Sequence, residues 1–234
     1  MSILKAVLST IWIKLFGRRG DLEVLWNETA LVIKNELSSD ECSNLRRKID
    51  EIINQNNRKK VWIDLEGADR RIFEFEIGNE SIISCLKIDQ RIKDIQMYSG
   101  RNVKAWLLMA NKISEAKNNR GSGGGWHKDS AFSHQVKNIW YLSEVKEDNG
   151  PFQYIKKTNR IKKYLDNELN ATRFEKIEGK VETVIGGEGD LLVCDTLCVH
   201  RGKPVENGDR YAITLYTFNS KTAKQKMLNE IFAA

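Results

Sequence analysis

The apolar positions of this chain follow a helical period in its first hundred residues and a strand pattern in the rest. A helix is predicted to begin at Ser38, because Ser38 and Glu41 have the spacing of a capping box, and to end near Asn56 and Asn57. Its apolar face recurs at helical spacing and consists of Cys42, Leu45, Ile49, Ile52 and Ile53. A second helix is predicted over residues 81–96, with Gly100 closing it.

Short apolar runs separated by turn residues predict a series of β-strands. These strands cover residues 30–33, 61–63, 103–113, 136–145, 152–155, 181–185, 190–194 and 210–218. Asp148-Asn149-Gly150 is typical of a hairpin turn, so residues 152–155 are expected to form the returning strand. The charged residues 160–169 favour a further helix. Helices followed by many strands predict an α+β protein, mainly β, whose second half is an antiparallel sandwich or barrel.

The first twenty residues have a separate character, because they combine a helical apolar stripe with positive charge. The stripe consists of Leu4, Leu8, Ile11 and Leu15, widened by Trp12 and Phe16. The charges are Lys5, Lys14, Arg18 and Arg19. We therefore predict an amphipathic basic helix over residues 1–20 and a single domain over residues 21–234. Residues 1–19 either lie on an anionic membrane surface or dock on the protein's own core.

The composition narrows the class of protein. The apolar share of 41% is enough for a substantial core. Lys and Arg together number 38 and Asp and Glu 32, and this excess of +6 is too small and too scattered to indicate nucleic acid as a partner. The four cysteines form no C-x-x-C pair and are interpreted as reduced, mostly buried thiols of a cytoplasmic protein.

Two histidines and one carboxylate are the candidate metal ligands. His127 and Asp129 are two residues apart, so on a strand both side chains point to the same side. His200 follows a later predicted strand and its turn. Two imidazoles and one carboxylate are the facial triad that holds non-heme Fe(II) and leaves coordination positions open. The third histidine, His134, is interpreted as an exposed loop residue.

Arg210 is the candidate anion-binding residue. It begins a predicted strand in which Arg210, Ala212, Thr214 and Tyr216 share one face. A guanidinium that faces the inside of a barrel is costly unless an anion meets it, and a dicarboxylate cosubstrate would be that anion. The alternative is an edge-strand arginine in water.

Taken in order, these motifs resemble the phytanoyl-CoA dioxygenase family. The motifs are Gly-Trp-His-Lys-Asp-Ser-Ala-Phe at residues 125–132, Asp-Asn-Gly-Pro-Phe at 148–152, Gly-Asp-Leu-Leu-Val-Cys-Asp at 189–195, His-Arg-Gly at 200–202 and Arg-Tyr-Ala at 210–212. The similarity runs from about residue 100 to 219. It implies a double-stranded β-helix, that is, a cupin-like jelly roll with flanking N-terminal helices.

The resemblance also implies cofactors and roles. His127, Asp129 and His200 would hold Fe(II), and Arg210 would hold the distal carboxylate of the cosubstrate 2-oxoglutarate. Trp140 would lie near the cosubstrate, or else be an ordinary core tryptophan, and Thr214 would add a hydroxyl contact. The family's Pro-Gly-Ser-His segment is replaced here by residues 156–160, so acyl-CoA specificity is not transferred.

The expected activity is hydroxylation of a small substrate, anionic or linked to a lipid or sugar, with succinate and CO2 as coproducts. Asp129 favours hydroxylation over halogenation, because its carboxylate fills the position that a halide would need. The basic residues Lys156, Lys157, Arg160, Lys162 and Lys163 either recognise an acidic group of the substrate or form a solvated helix face. The alternative function is a non-catalytic or differently metallated small-ligand-binding protein. We expect a cytoplasmic location, with peripheral contact at the inner membrane face as the alternative that residues 1–19 suggest.

Overall fold

A computed structural model describes residue 8 and residues 11–12, 15–16, 20–55, 60–129, 136–159 and 172–233. The predicted helix over residues 160–169 and the interpretation of His134 lie outside the described residues. So do Asn56 and Asn57, the predicted end of the first long helix.

Five helices flank a β-structure within the described ranges. Their bounds are α1 Asp21–Glu28, α2 Ser39–Asn54, α3 Ser81–Cys85, α4 Ile88–Ser99 and α5 Lys221–Phe232. Helix α2 confirms the capping-box prediction: the Ser38 side chain accepts from the Glu41 N–H, and the Glu41 carboxylate accepts from the Ser38 N–H. Gly100 closes α4 in a left-handed conformation, as predicted.

The strands form two antiparallel sheets. Their bounds are β1 Ala30–Ile33, β2 Val61–Ile63, β3 Asp69–Phe73, β4 Ala105–Ser114, β5 His127–Lys128, β6 Val136–Tyr141, β7 Phe152–Ile155, β8 Thr172–Arg173, β9 Val181–Val184, β10 Leu191–Asp195, β11 His200–Gly202 and β12 Asp209–Phe218. The larger sheet has the order β1-β10-β6-β12-β4-β3-β2, and the smaller has the order β8-β5-β11-β7-β9. Two facing sheets with crossing connections are the jelly roll that the resemblance implied.

Two predicted elements differ from the structure. The helix predicted over residues 81–96 is two helices, because Lys87 adopts a left-handed conformation between them. The hairpin predicted at residues 148–150 is wrong. Gly150 does have the positive φ of a turn, but β7 does not pair with β6. It pairs with β11 and β9 in the other sheet.

The core lies mainly on the outer face of the larger sheet, under the helices. Its largest fully buried side chains include Trp140, Tyr98 and Phe75, packed with apolar residues of α2 and α4. The inner face of the same sheet looks toward the smaller sheet and leaves a cavity between them. The four cysteines are free thiols and three of them are buried, as predicted; burial raises the pKa of Cys42 to about 12.

Candidate metal and cosubstrate site

Sheet pairing brings the two candidate histidines side by side. In the smaller sheet His200 of β11 lies directly opposite His127 of β5. Their ring centroids are 4.3 Å apart. The ring of Phe152 stacks on His200 with centroids 5.3 Å apart, which fixes the orientation of that imidazole. Residues 73 positions apart in sequence thus converge because of strand register.

Each imidazole is held through the same ring nitrogen. His127 Nδ1 lies 2.8 Å from the carbonyl oxygen of Gly125, and His200 Nδ1 lies 3.0 Å from that of Cys198. A carbonyl oxygen only accepts, so Nδ1 is the protonated nitrogen of each ring and Nε2 keeps its lone pair. Such a second contact orients metal-binding histidines in proteins.

Asp129 completes the cluster. Its backbone N–H donates to the Thr196 carbonyl at 3.1 Å, which ties the residue to the turn before β11. Its carboxylate oxygens lie 3.8 Å from His127 Nε2 and 3.7 Å from His200 Nε2. One ligand atom from each of the three residues lies within 4.8 Å of the others, which is close enough to hold one metal ion.

Burial keeps both imidazoles neutral. Removal from water, reinforced by the neighbouring His127, lowers the pKa of His200 to about 3. Burial also lowers the pKa of His127. Neutral imidazole is the form that binds a metal, so the site does not need to lose protons from these rings near neutral pH.

The glycine run before His127 is a close-packed support and not only a flexible loop. A side chain on Gly123 would come within 2.3 Å of the His127 ring. A side chain on Gly121 would come within 2.0 Å of the Gly202 carbonyl oxygen on β11. Only glycine allows the loop to lie this close to β5 and β11.

Arg210 faces the inside of the jelly roll, as predicted. It lines a cavity of about 310 Å³ together with His127, Asp129, His200 and Thr214. Arg210 is 6% exposed; its Nη1 donates to the Gly150 carbonyl oxygen, and its Nε has no hydrogen-bond partner within the described part of the chain. Burial lowers the pKa of Arg210. A buried guanidinium with a free N–H is a ready site for an anion.

The structure does not bring Trp140 to this cavity. Trp140 is completely buried in the core on the outer face of the larger sheet. Its neighbours Ile139 and Tyr141 line the cavity, because side chains alternate along β6. The alternative that it is an ordinary core tryptophan fits its position.

Three cations of the cavity were missed by sequence reasoning: Lys137, Arg71 and Arg173. Lys137 Nζ lies 2.6 Å from Asp129 Oδ2. Burial alone would lower the pKa of Lys137, but the Asp129 carboxylate outweighs it and holds that pKa above its ordinary value. The sequence did contain a signal for Lys137: it is two and four residues from Ile139 and Tyr141, so all three side chains share one face of the strand. No sequence signal pointed to Arg71 or Arg173.

The described lysines of the basic stretch at residues 156–163 do not lie at the cavity, where a substrate-binding element would be expected. Lys156 forms an ion pair with Glu28 of α1, and neither Lys156 nor Lys157 lines the cavity. Arg160, Lys162 and Lys163 lie outside the described residues.

Comparison with known proteins identifies a family for this chain. The family model described as phytanoyl-CoA dioxygenase (PhyH) matches residues 30–212. No curated protein matches the chain.

Several solved structures share the fold. HygX from Streptomyces hygroscopicus, crystallised with nickel and 2-oxoglutarate bound, is 13% identical with a TM-score of 0.60, covering 86% of each chain. The non-heme alpha-ketoglutarate-dependent carbocyclase SnoK from nogalamycin biosynthesis is 12% identical with a TM-score of 0.62, covering 84% of this chain and 82% of SnoK. The epimerase SnoN from the same biosynthesis is 11% identical with a TM-score of 0.64, covering 88% of this chain and 80% of SnoN. At these identities the likeness shows the fold, and the family follows from the matched model: the chain belongs to the phytanoyl-CoA dioxygenase family.

Proposed function

We propose that the protein is an Fe(II)- and 2-oxoglutarate-dependent dioxygenase that hydroxylates a small acidic substrate. The observation that carries the proposal is the convergence of His127, Asp129 and His200 in one cavity with the buried Arg210. Three metal-ligand side chains and a guanidinium with a free N–H are the parts that a metal and a dicarboxylate require.

The donor set fits iron. Both Nε2 atoms carry lone pairs because both Nδ1 atoms donate to backbone carbonyls. Two nitrogen donors and one carboxylate oxygen suit Fe(II), whereas a structural zinc site has four protein ligands. The solved relatives that bind nickel or iron with 2-oxoglutarate support the same assignment.

The metal and the protein have separate tasks. Bound Fe(II) with 2-oxoglutarate would supply the oxidation of a substrate C–H bond by O2, with succinate and CO2 as coproducts. Arg210 binds the distal carboxylate of 2-oxoglutarate and Thr214 adds a hydroxyl contact. Phe152 covers His200 and excludes water from that side of the site.

Hydroxylation is proposed over the other reactions of this fold. SnoK is a carbocyclase and SnoN an epimerase, so the fold alone does not select the outcome. Asp129 provides the third ligand at the position that a halide would need, and this disfavours halogenation. Hydroxylation requires no further functional group in the cavity.

The acidic character of the substrate follows from the cations that line the cavity. Arg71 and Arg173 reach it from opposite sides, from β3 and β8. Arg71 is paired with Asp69. Among the residues that the structure describes, Arg173 donates to the backbone carbonyls of Gly123 and Gly124 and is not paired with a carboxylate. Arg173 is therefore the residue best placed to meet a carboxylate or phosphate of the substrate.

The alternative is a jelly roll that binds a small ligand without catalysis. Anaerobic titration with Fe(II) and 2-oxoglutarate separates the two, because chelation of Fe(II) by 2-oxoglutarate gives a visible charge-transfer band. We expect the band, and succinate after exposure to air, in the wild type. Asp129→Ala should lose both, while Glu144→Ala, which removes an exposed carboxylate that does not line the cavity, should keep both. Absence of band and succinate in the wild type would favour the binding protein.

We also propose that residues 1–19 contact an anionic membrane peripherally, at its inner face. The described apolar side chains of this segment, including Leu8 and Leu15, are between 42% and 65% exposed. The segment contains four Lys and Arg residues and no Asp or Glu. No helix in the described ranges has the length and apolar character needed to cross a bilayer.

A further inference from the structure

Lys137 places a buried positive charge against a candidate metal ligand. The residue is 8% exposed, and its Nζ lies 2.6 Å from Asp129 Oδ2. The same Nζ lies 5.0 Å from the centroid of the Tyr216 ring, which adds a cation–π contact. The ammonium is thus held in place by the carboxylate and by an aromatic face.

This arrangement makes Lys137 a competitor of the metal. A carboxylate that neutralises an ammonium attracts a dication less strongly than a carboxylate alone. Two like charges a few ångströms apart in a buried site also repel each other strongly. Without any other anion in the cavity, Lys137 therefore opposes the binding of a divalent ion by His127, Asp129 and His200.

An incoming dicarboxylate reverses this opposition. Within the described residues, the cavity is lined by four cations, Lys137, Arg71, Arg173 and Arg210, set against the carboxylates of Asp129 and the nearby Asp69. A divalent ion adds two positive charges, and 2-oxoglutarate brings two negative charges. The ammonium that repels the bare ion then attracts the anion that arrives with it.

We infer that Lys137 is a positioning residue that couples metal binding to 2-oxoglutarate binding, so that neither is bound tightly without the other. The inference rests on the proposed function. It assigns to this chain a requirement for joint loading, which keeps a redox metal from being held without its cosubstrate. Because linkage is reciprocal, the metal must strengthen 2-oxoglutarate binding by the same factor.

The test is calorimetric titration with Ni(II), a redox-stable divalent probe, with and without saturating 2-oxoglutarate. In the wild type, 2-oxoglutarate should tighten Ni(II) binding by at least about 10-fold. Lys137→Met should bind Ni(II) alone about 10-fold more tightly than the wild type. The factor by which 2-oxoglutarate tightens Ni(II) binding should be about 10-fold smaller in this variant than in the wild type, because only direct chelation of the metal remains. Lys137→Arg keeps the charge and should restore most of the coupling.

Lys112→Met is the matched control. Lys112 is also a partly buried lysine, in contact with Asp50 and Asp209, but it does not line the cavity. Its loss should leave both Ni(II) affinities unchanged. Thermal unfolding of each variant confirms folding, and Lys137→Gln replaces Lys137→Met if the latter does not fold.

The outcomes separate the inference from the proposed function. If the wild type does not bind Ni(II), or if Asp129→Ala binds it as tightly as the wild type, the proposed metal site is wrong. If the wild type binds Ni(II) but Lys137→Met shows the same two affinities, or binds Ni(II) alone more weakly, only the coupling role is overturned.

Discussion

The alternation of side chains along β6 decides which of them face the cavity and which face the core. Lys137, Ile139 and Tyr141 face the cavity, whereas Asn138 and Trp140 face the core under the helices. The resemblance drew attention to Trp140 because an aromatic residue often lies near the cosubstrate in the family. The register of β6 against β12 and β10 places Tyr141 on that side instead.

Trp140→Phe is therefore expected to change stability and not cosubstrate binding. The smaller ring leaves a cavity in the core and should lower the free energy of unfolding by about 1–3 kcal/mol. The affinity for 2-oxoglutarate, measured in the presence of Ni(II), should stay within about twofold because Trp140 does not line the cavity.

Arg210→Lys is the comparison for this variant. It keeps a positive charge but loses the forked donors that match a carboxylate, so the affinity for 2-oxoglutarate should fall by about 10-fold or more. If Trp140→Phe lost as much affinity for 2-oxoglutarate as Arg210→Lys, the interpretation of Trp140 as a core residue would be contradicted.

At the scale of elements, the loop before β5 determines the position of His127, a candidate metal ligand. Gly121, Gly123, Gly124 and Gly125 all have positive φ, so the loop follows a path that other residues adopt only with strain. The loop also supplies the Gly125 carbonyl that accepts from His127. His127 is thus supported by backbone atoms on one side and by the β5–β11 pair on the other.

Gly123→Ala should displace His127 and weaken metal binding. The new Cβ would lie 2.3 Å from His127 Cε1, so the ring must move away from its present orientation. Loss of such support costs metal affinity by about 10- to 100-fold. Ni(II) titration measures this loss directly.

Gly67→Ala is the matched control for the glycine loop. Gly67 also has a positive φ, of 69°, but a Cβ there meets nothing within 4 Å. Gly67→Ala should therefore lose about 1–2 kcal/mol of stability because of backbone strain alone, and its metal affinity should be unchanged. Equal metal affinities in the two variants would contradict the supporting role of the loop.

At the scale of the whole molecule, the sequence predicted the elements better than their partners. Period and capping predicted α2 and most long strands. Motif order predicted the jelly roll and the three candidate metal ligands, which lie close together in the structure. Pairing of β7 was predicted wrongly because a turn such as residues 148–150 specifies only local geometry. It does not determine whether the next strand returns to the same sheet or crosses to the other.

Two cations of the cavity could not be predicted for the same reason. Arg71 and Arg173 belong to β3 and β8, two strands that showed no apolar alternation in the sequence. Their approach to the site depends on the register of β3 with β4 and of β8 with β5. Such contacts between distant segments are properties of the assembled sheets.

The segment at residues 1–19 relates the whole molecule to its surroundings. Trp12 Nε1 donates to the Met97 carbonyl oxygen at 3.0 Å, and the Trp12 ring packs on Gly100. This contact attaches the segment beside α4, yet Leu8, Leu15 and Phe16 remain more than half exposed. Docking on the protein's own core therefore accounts for only part of the apolar stripe, and an anionic bilayer would cover the rest.

Deletion of residues 1–19 should abolish co-sedimentation with vesicles that contain an anionic phospholipid. The full chain should bind these vesicles and not purely neutral ones, because burial of the stripe and attraction of its basic residues act together. Leu15→Asp keeps the four basic residues and should weaken binding, which separates insertion from charge attraction alone. Both variants should keep the Ni(II) and 2-oxoglutarate affinities of the full chain, since no described residue before Arg71 lines the cavity. Equal sedimentation of the full and shortened chains would show that this stripe serves the protein's own packing.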